Sequence, residues 1–104
     1  MKSYNIYILK SFYSDLNEIF NNLHSFFGTK YAYKIIKTIV SSINSLKTFP
    51  NSNPIFSYID GYIVRKKIVN KRYIIIYIVI QNSIYIYNVF DGRRNINSSD
   101  LFKK

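Results

Sequence analysis

The sequence predicts a single α+β domain in which a strand and a helical hairpin precede a mainly antiparallel sheet of three to four strands. Three observations carry this. A short alternating segment opens the chain, two stretches with helical apolar spacing follow, and the second half is dominated by Ile, Val and Tyr runs broken by short polar turns. At 104 residues the chain is of one-domain size, so residues 1–104 are read as one unit. No internal repeat or dividing linker is visible.

Ser3 to Leu9 alternates with a period of two, the pattern of a half-buried strand. Ser11 or Ser14 is placed to cap a helix, with Asp15 and Glu18 near its positive N-terminal end. Leu16, Ile19, Phe20, Leu23, Phe26 and Phe27 form its apolar face, and Gly28 ends it. A second helix is expected from about Lys30 to Lys47, with Ala32, Ile35, Ile36, Ile39, Val40, Ile43 and Leu46 on one face. So short a link between two amphipathic helices implies an antiparallel hairpin. Pro50 stops the second helix, and Asn51–Pro54 reads as a loop. Strands are then expected at Tyr62–Val69, Tyr73–Ile80 and Ile84–Phe90. Tyr73–Ile80 is apolar on both alternating faces, as a central strand should be. The order strand, helix, helix, strand, strand, strand gives two layers, the sheet burying one face on the hairpin.

Charge narrows the class of partner. Fifteen Lys and Arg stand against five Asp and Glu, a net +10. That balance points to an acidic counterpart. No secretion signal is visible at Met1–Asn5, and the apolar run Tyr73–Ile80 is far shorter than the ~20 residues of a membrane helix. The expectation is therefore a cytoplasmic protein without a membrane partner. Without cysteine there is no disulfide framework, Cys-ligated zinc or thiol nucleophile.

Arg65, Lys66, Lys67, Lys71 and Arg72 crowd the first hairpin of the sheet, interleaved with Tyr62, Tyr73 and Tyr77, and Arg93 and Arg94 follow the last strand. Cations among aromatics suit phosphate neutralisation and stacking on bases. The same residues also suit solvated strand ends that resist aggregation, with tyrosines as packing. The lone His24 and the scattered acids offer no metal-ligand spacing, and no Ser-His-Asp arrangement or phosphate-cradling glycine loop is present. No metal or cofactor is expected. One reaction needs neither. RNA cleaves when its 2′-hydroxyl loses a proton to a base such as Lys67 or a nearby tyrosine, while arginines hold the phosphate.

Four segments in fixed order also look familiar. They are Leu16–Ile19 after Lys10–Ser11, the helix end Ser45–Pro50, the strand Lys71–Val79, and the tail Val89–Phe90–Asp91–Gly92–Arg93–Arg94–Asn95. Together they resemble the RelE/ParE toxins of type II toxin–antitoxin systems over nearly the whole chain. The resemblance implies a growth inhibitor, of the kind tied to plasmid stabilisation, masked by a cognate antitoxin. ParE-like members block DNA gyrase, and RelE-like members act as mRNA interferases on the ribosome. For a nuclease, Lys67, Arg65 and Arg93 match the catalytic basic residues. Against it, Ile74 stands where such nucleases carry arginine, Asn88 where many show arginine, Asp91 where many show His or Tyr, and Phe102 where they end in a functional tyrosine. The ParE-like branch is the closer match. Arg65, Lys66, Lys67, Lys71, Arg72, Tyr73, Arg93 and Arg94 are the expected target contacts. A decayed toxin or simple RNA-binding module is a further alternative.

Overall fold

A computed structural model describes residues 3–93 of the chain. Strand β1 (Asn5–Ile8) leads directly into helix α1 (Lys10–Phe27), and Gly28 alone separates it from α2 (Thr29–Asn44). A short 3-10 turn at Ser45–Lys47 completes the second helix. Then follow β2 (Ile55–Ile59), β3 (Tyr62–Val69), β4 (Tyr73–Ile80) and β5 (Ser83–Asp91). They form one five-stranded sheet in the order β1-β5-β4-β3-β2, with β1 parallel to β5 and every other pair antiparallel.

The layout matches the sequence reading, with one strand added. β2 occupies residues between the expected loop Asn51–Pro54 and the expected strand at Tyr62, to which the sequence reading gave no element. It joins β3 through the two-residue turn Asp60–Gly61, both at positive φ. Two central residues in that region make the turn whose twist suits a hairpin. The strand is easy to miss because it follows Pro54, bulges between Ile55 and Ser57, and lies half exposed at the sheet edge.

Gly28 has φ 90, and its N–H donates to the His24 carbonyl while its own carbonyl accepts from Ala32. Glycine meets this left-handed requirement without steric penalty, so one residue turns the chain from helix to helix. The helices cover one sheet face. Phe12, Leu23, Ala32, Ile35, Ile39, Ile43 and Leu46 pack there against Val69, Tyr73, Ile75, Tyr77, Ile84, Ile86 and Val89. On the other face Val64, Ile76, Ile78 and Phe90 form a smaller cluster, so β4 buries both its alternating faces.

Two expectations for α1 need correction. No side chain caps it; Leu9 precedes the first turn, because β1 runs into the helix without a loop. Phe26 and Phe27 are 80% and 62% exposed, and Phe12 takes a core place instead. The apolar stripe thus starts one turn earlier, and the last turn of α1 reaches solvent.

The first turn of α1 is fastened to β5. The pairings Ile76↔Asn88 and Tyr77↔Ile86 leave Tyr87 as an extra residue, a β-bulge. The Ser11 hydroxyl donates to the Tyr87 carbonyl. Asp15, 4% exposed, accepts from the Asn88 amide at 2.9 Å and from the Val89 N–H at 3.2 Å. Asp15 therefore serves as a buried acceptor that fixes helix to sheet.

Candidate functional site: the basic end of the sheet

Register decides which cations meet. Val69 pairs with Tyr73, and Tyr73 with Asp91, so the C-terminal end of β3, the start of β4 and the end of β5 share one end of the sheet. Lys71 and Arg72 occupy the turn there, and Arg93 follows β5. The turn is tight: Asn70 and Lys71 have φ 55 and 56, and the Gly92 N–H donates to the Arg72 carbonyl. A Cβ at position 92 would lie 2.5 Å from that oxygen, which explains the glycine in the tail segment.

Asp91 sits between two guanidinium groups. Arg72 donates to Asp91 Oδ2 through Nη2 at 3.0 Å and Nε at 3.3 Å. Arg93 donates through Nη2 to Oδ2 at 3.1 Å and through its backbone N–H to Oδ1 at 3.0 Å. Burial pushes the Asp91 carboxyl up, but the hydrogen bonds from Arg72 and Arg93 outweigh it and hold it at about 2. The Asp91 hydrogen bond raises the Arg72 guanidinium, which also lies over the Tyr73 ring at 5.3 Å. Tyr73 itself is buried, and burial raises its hydroxyl. A cavity of about 530 Å³ opens beside this cluster, between α1 and the sheet, with Ile19, Leu23 and Phe26 on its apolar wall.

The remaining cations go elsewhere. Arg65 and Lys67 pair with Tyr77 and Ile75 and share the helix-facing side of β3, whereas Lys66 pairs with Ile76 on the other side. Arg65 Nη1 donates to the Asn53 carbonyl at 2.8 Å, bracing the loop before β2. The same loop is anchored by Tyr77, whose buried hydroxyl donates to the Pro50 carbonyl at 2.6 Å and accepts from Asn53 Nδ2 at 2.9 Å. Burial raises that hydroxyl too, against the Asn53 donor and the Arg65 charge. Tyr77 is thus a packing and anchoring residue. Ile74 pairs with Phe90 and Ile68 on the outer face, away from Arg65 and Lys67. Arg94 and Phe102 lie outside the described residues.

Sequence reasoning found Arg72, Tyr73 and Arg93 but not the acid that organises them. Asp91 carried a signal only as a departure from the nuclease pattern. Among the described residues no group of His, Asp or Glu assembles as a metal-ligand set, and no helix is long and apolar enough to cross a membrane. His24 is exposed, its ring stacked on Phe20 at 5.8 Å.

A five-stranded sheet backed by a helical hairpin, with two arginines gathered at one end of the sheet, defines a small basic α+β domain. The family model for the ParE toxin of the type II toxin–antitoxin system parDE matches residues 6–96, and the chain belongs to that family. Among solved structures it is similar to a chain from the chromosomal ParDE toxin–antitoxin system of P. aeruginosa. The TM-score is 0.75 at 19% identity, over 86% of this chain and 96% of that one. At that identity the likeness speaks for the fold. No curated protein matches. The chain is therefore a ParE-like toxin of a type II system, and the family implies a cognate antitoxin.

Proposed function

We propose that this toxin acts in the cytoplasm by inhibiting DNA gyrase, and that its cognate antitoxin neutralises it by covering the basic end of the sheet. The observation that carries the reading is the Arg72–Asp91–Arg93 cluster in a chain of the ParE family. Asp91 holds the two guanidinium groups together while leaving Arg93 72% exposed, an arrangement for docking onto an acidic or phosphate-bearing surface. Lys71 stands exposed on the same turn, and Lys67 carries charge along the helix-facing side of β3 while Lys66 lies on its other face. The cavity between hairpin and sheet gives the apolar side of an amphipathic antitoxin segment a wall to pack on.

The nuclease reading ranks second on geometry. It asks Lys67, Arg65 and Arg93 to serve one phosphate. Arg65 is already hydrogen-bonded to Asn53, and its register position is four residues up β3 from the Val69 end of the sheet. At ~3.3 Å per residue that is about 13 Å along the strand.

The experiment is a supercoiling assay with purified gyrase and the full chain. Inhibition is expected, weakened about tenfold in Arg93→Ala and in Lys71→Ala, as for loss of a rim charge. Undiminished supercoiling at saturating toxin would sink the gyrase reading. Primer extension on mRNA after induction covers the alternative: codon-linked cuts that disappear in Lys67→Ala would establish the interferase. Co-purification with the product of the adjacent gene tests the antitoxin.

A further inference from the structure

The two edges of the sheet are protected differently. Edge strands expose unpaired backbone groups, and proteins usually blunt them with bulges, proline or charged side chains. β2 follows that practice, with Pro54 before it and a bulge between Ile55 and Ser57. β1 does not. Its sequence Asn5–Ile6–Tyr7–Ile8 carries no charge and no proline, and it pairs with β5 through four consecutive residues without a bulge.

The free side of β1 can be read from its bonded side. The Asn5 N–H donates to the Asn82 carbonyl at 2.8 Å, and the Leu9 N–H to the Ile86 carbonyl at 2.9 Å. Hydrogen-bonding direction alternates along a strand, so Ile6 and Ile8 turn their N–H and C=O groups away from β5. Space lies along that side. A cavity of about 380 Å³ borders Ile6 and Ile8, with Val40 and Ile43 of α2 as its far wall. A second, of about 880 Å³, continues past the end of the helix beside Phe49. Tyr4 and Lys47 line both. Val40 and Phe49 are 42% and 74% exposed, apolar surface beside an unpaired backbone edge.

Charge selects the occupant. Among the described residues no acidic side chain lines either cavity, and Lys47 lines both. The cavity at the far end of the sheet differs, because its lining mixes the acids Asp15, Glu18 and Asp91 with Arg72 and Arg93.

We propose that the free edge of β1 takes an extended, acidic segment of a partner protein as a sixth strand. Main-chain bonds to Ile6 and Ile8 set its register, alternate apolar side chains rest on Val40 and Phe49, and a carboxylate meets Lys47. A helix would leave the Ile6 and Ile8 groups unpaired, so the edge itself calls for a strand. The proposal rests on the antitoxin reading only for the source of the segment.

The test is amide hydrogen exchange on the full chain by NMR, with two synthetic probes. One is an eight-residue peptide alternating Val and Glu; the other alternates Val and Lys. The Val-Glu peptide is expected to slow exchange at Ile6 and Ile8 about tenfold or more, and the Val-Lys peptide to leave it unchanged. Lys47→Glu should weaken Val-Glu binding about tenfold. Ile6→Pro removes an outward N–H that β5 does not use and should abolish binding. Because the Ile6 side chain also packs against the core its Tm falls, so binding is read below that Tm, and Lys47→Glu gives the independent reading. Unaltered Ile6 and Ile8 exchange at saturating Val-Glu peptide, or equal binding of both peptides, would overturn the proposal. A failed co-purification with the adjacent gene product would remove the antitoxin as source and leave the edge unaffected.

Discussion

At the scale of single residues, Asp91 converts a repulsive pair of arginines into a fixed one. Its acidity makes this measurable. The carboxyl is at about 2 in the folded chain against a usual 3.8. The stabilisation is therefore complete above about pH 4 and is lost as pH falls through about 2. Full conversion of the shift gives about 2 kcal/mol, but the Arg93 side is open to solvent, and screening reduces this to about 1 kcal/mol. Urea denaturation of the wild type should show that loss between pH 4 and 2, and Asp91→Asn should not. Parallel profiles would mean the carboxylate gains nothing from its arginines. None of this pairing was legible in the sequence, because Arg72 and Asp91 meet only through the register of β4 on β5. The glycine beside it was legible as part of a motif, but its reason, the Arg72 carbonyl, was not.

At the scale of elements, the strands and helices were legible wherever one periodicity ran long enough. β3 and β4 occupy the expected residues, and β5 differs by one residue at each end. β2 escaped because a five-residue edge strand has no buried face to impose alternation; its pattern is exposed and half-buried throughout. The segment before it owes its place to long-range anchoring, with Tyr77 holding Pro50 and Asn53, and Arg65 holding Asn53 again. Tyr77→Phe keeps the ring and deletes the hydroxyl, leaving the carbonyl of buried Pro50 without its donor. The expected cost is about 1–3 kcal/mol. That corresponds to a fall in Tm of roughly 4–8 °C per kcal/mol for a domain near this size, read by thermal melting. An unchanged Tm would show that the loop holds without the strand.

For the molecule as a whole, composition speaks to the class of partner and not to its identity. A net charge of +10 on 104 residues favours any acidic surface. If gyrase is the target, as proposed, association should accordingly slow as salt is raised from 50 to 200 mM, about tenfold in on-rate by stopped flow, while dissociation changes little. A salt-independent on-rate would assign recognition to apolar contacts instead. The fold was legible because the two halves of the chain differ in period; the cluster was legible as separate basic residues and not as an arrangement, because it is built where distant ends of strands converge. Topology has one more consequence. β1 precedes the other described elements in the chain, yet its place in the sheet is beside β5, Asn5 against Ser83. A nascent chain emerging from the ribosome can form its helical hairpin early, but the opening strand has no neighbour until the last has followed. The arginines at the end of β5 gain their geometry at the same moment. Synthesis itself thus delays completion of the sheet, and on the proposed reading this leaves an interval in which the antitoxin can arrive.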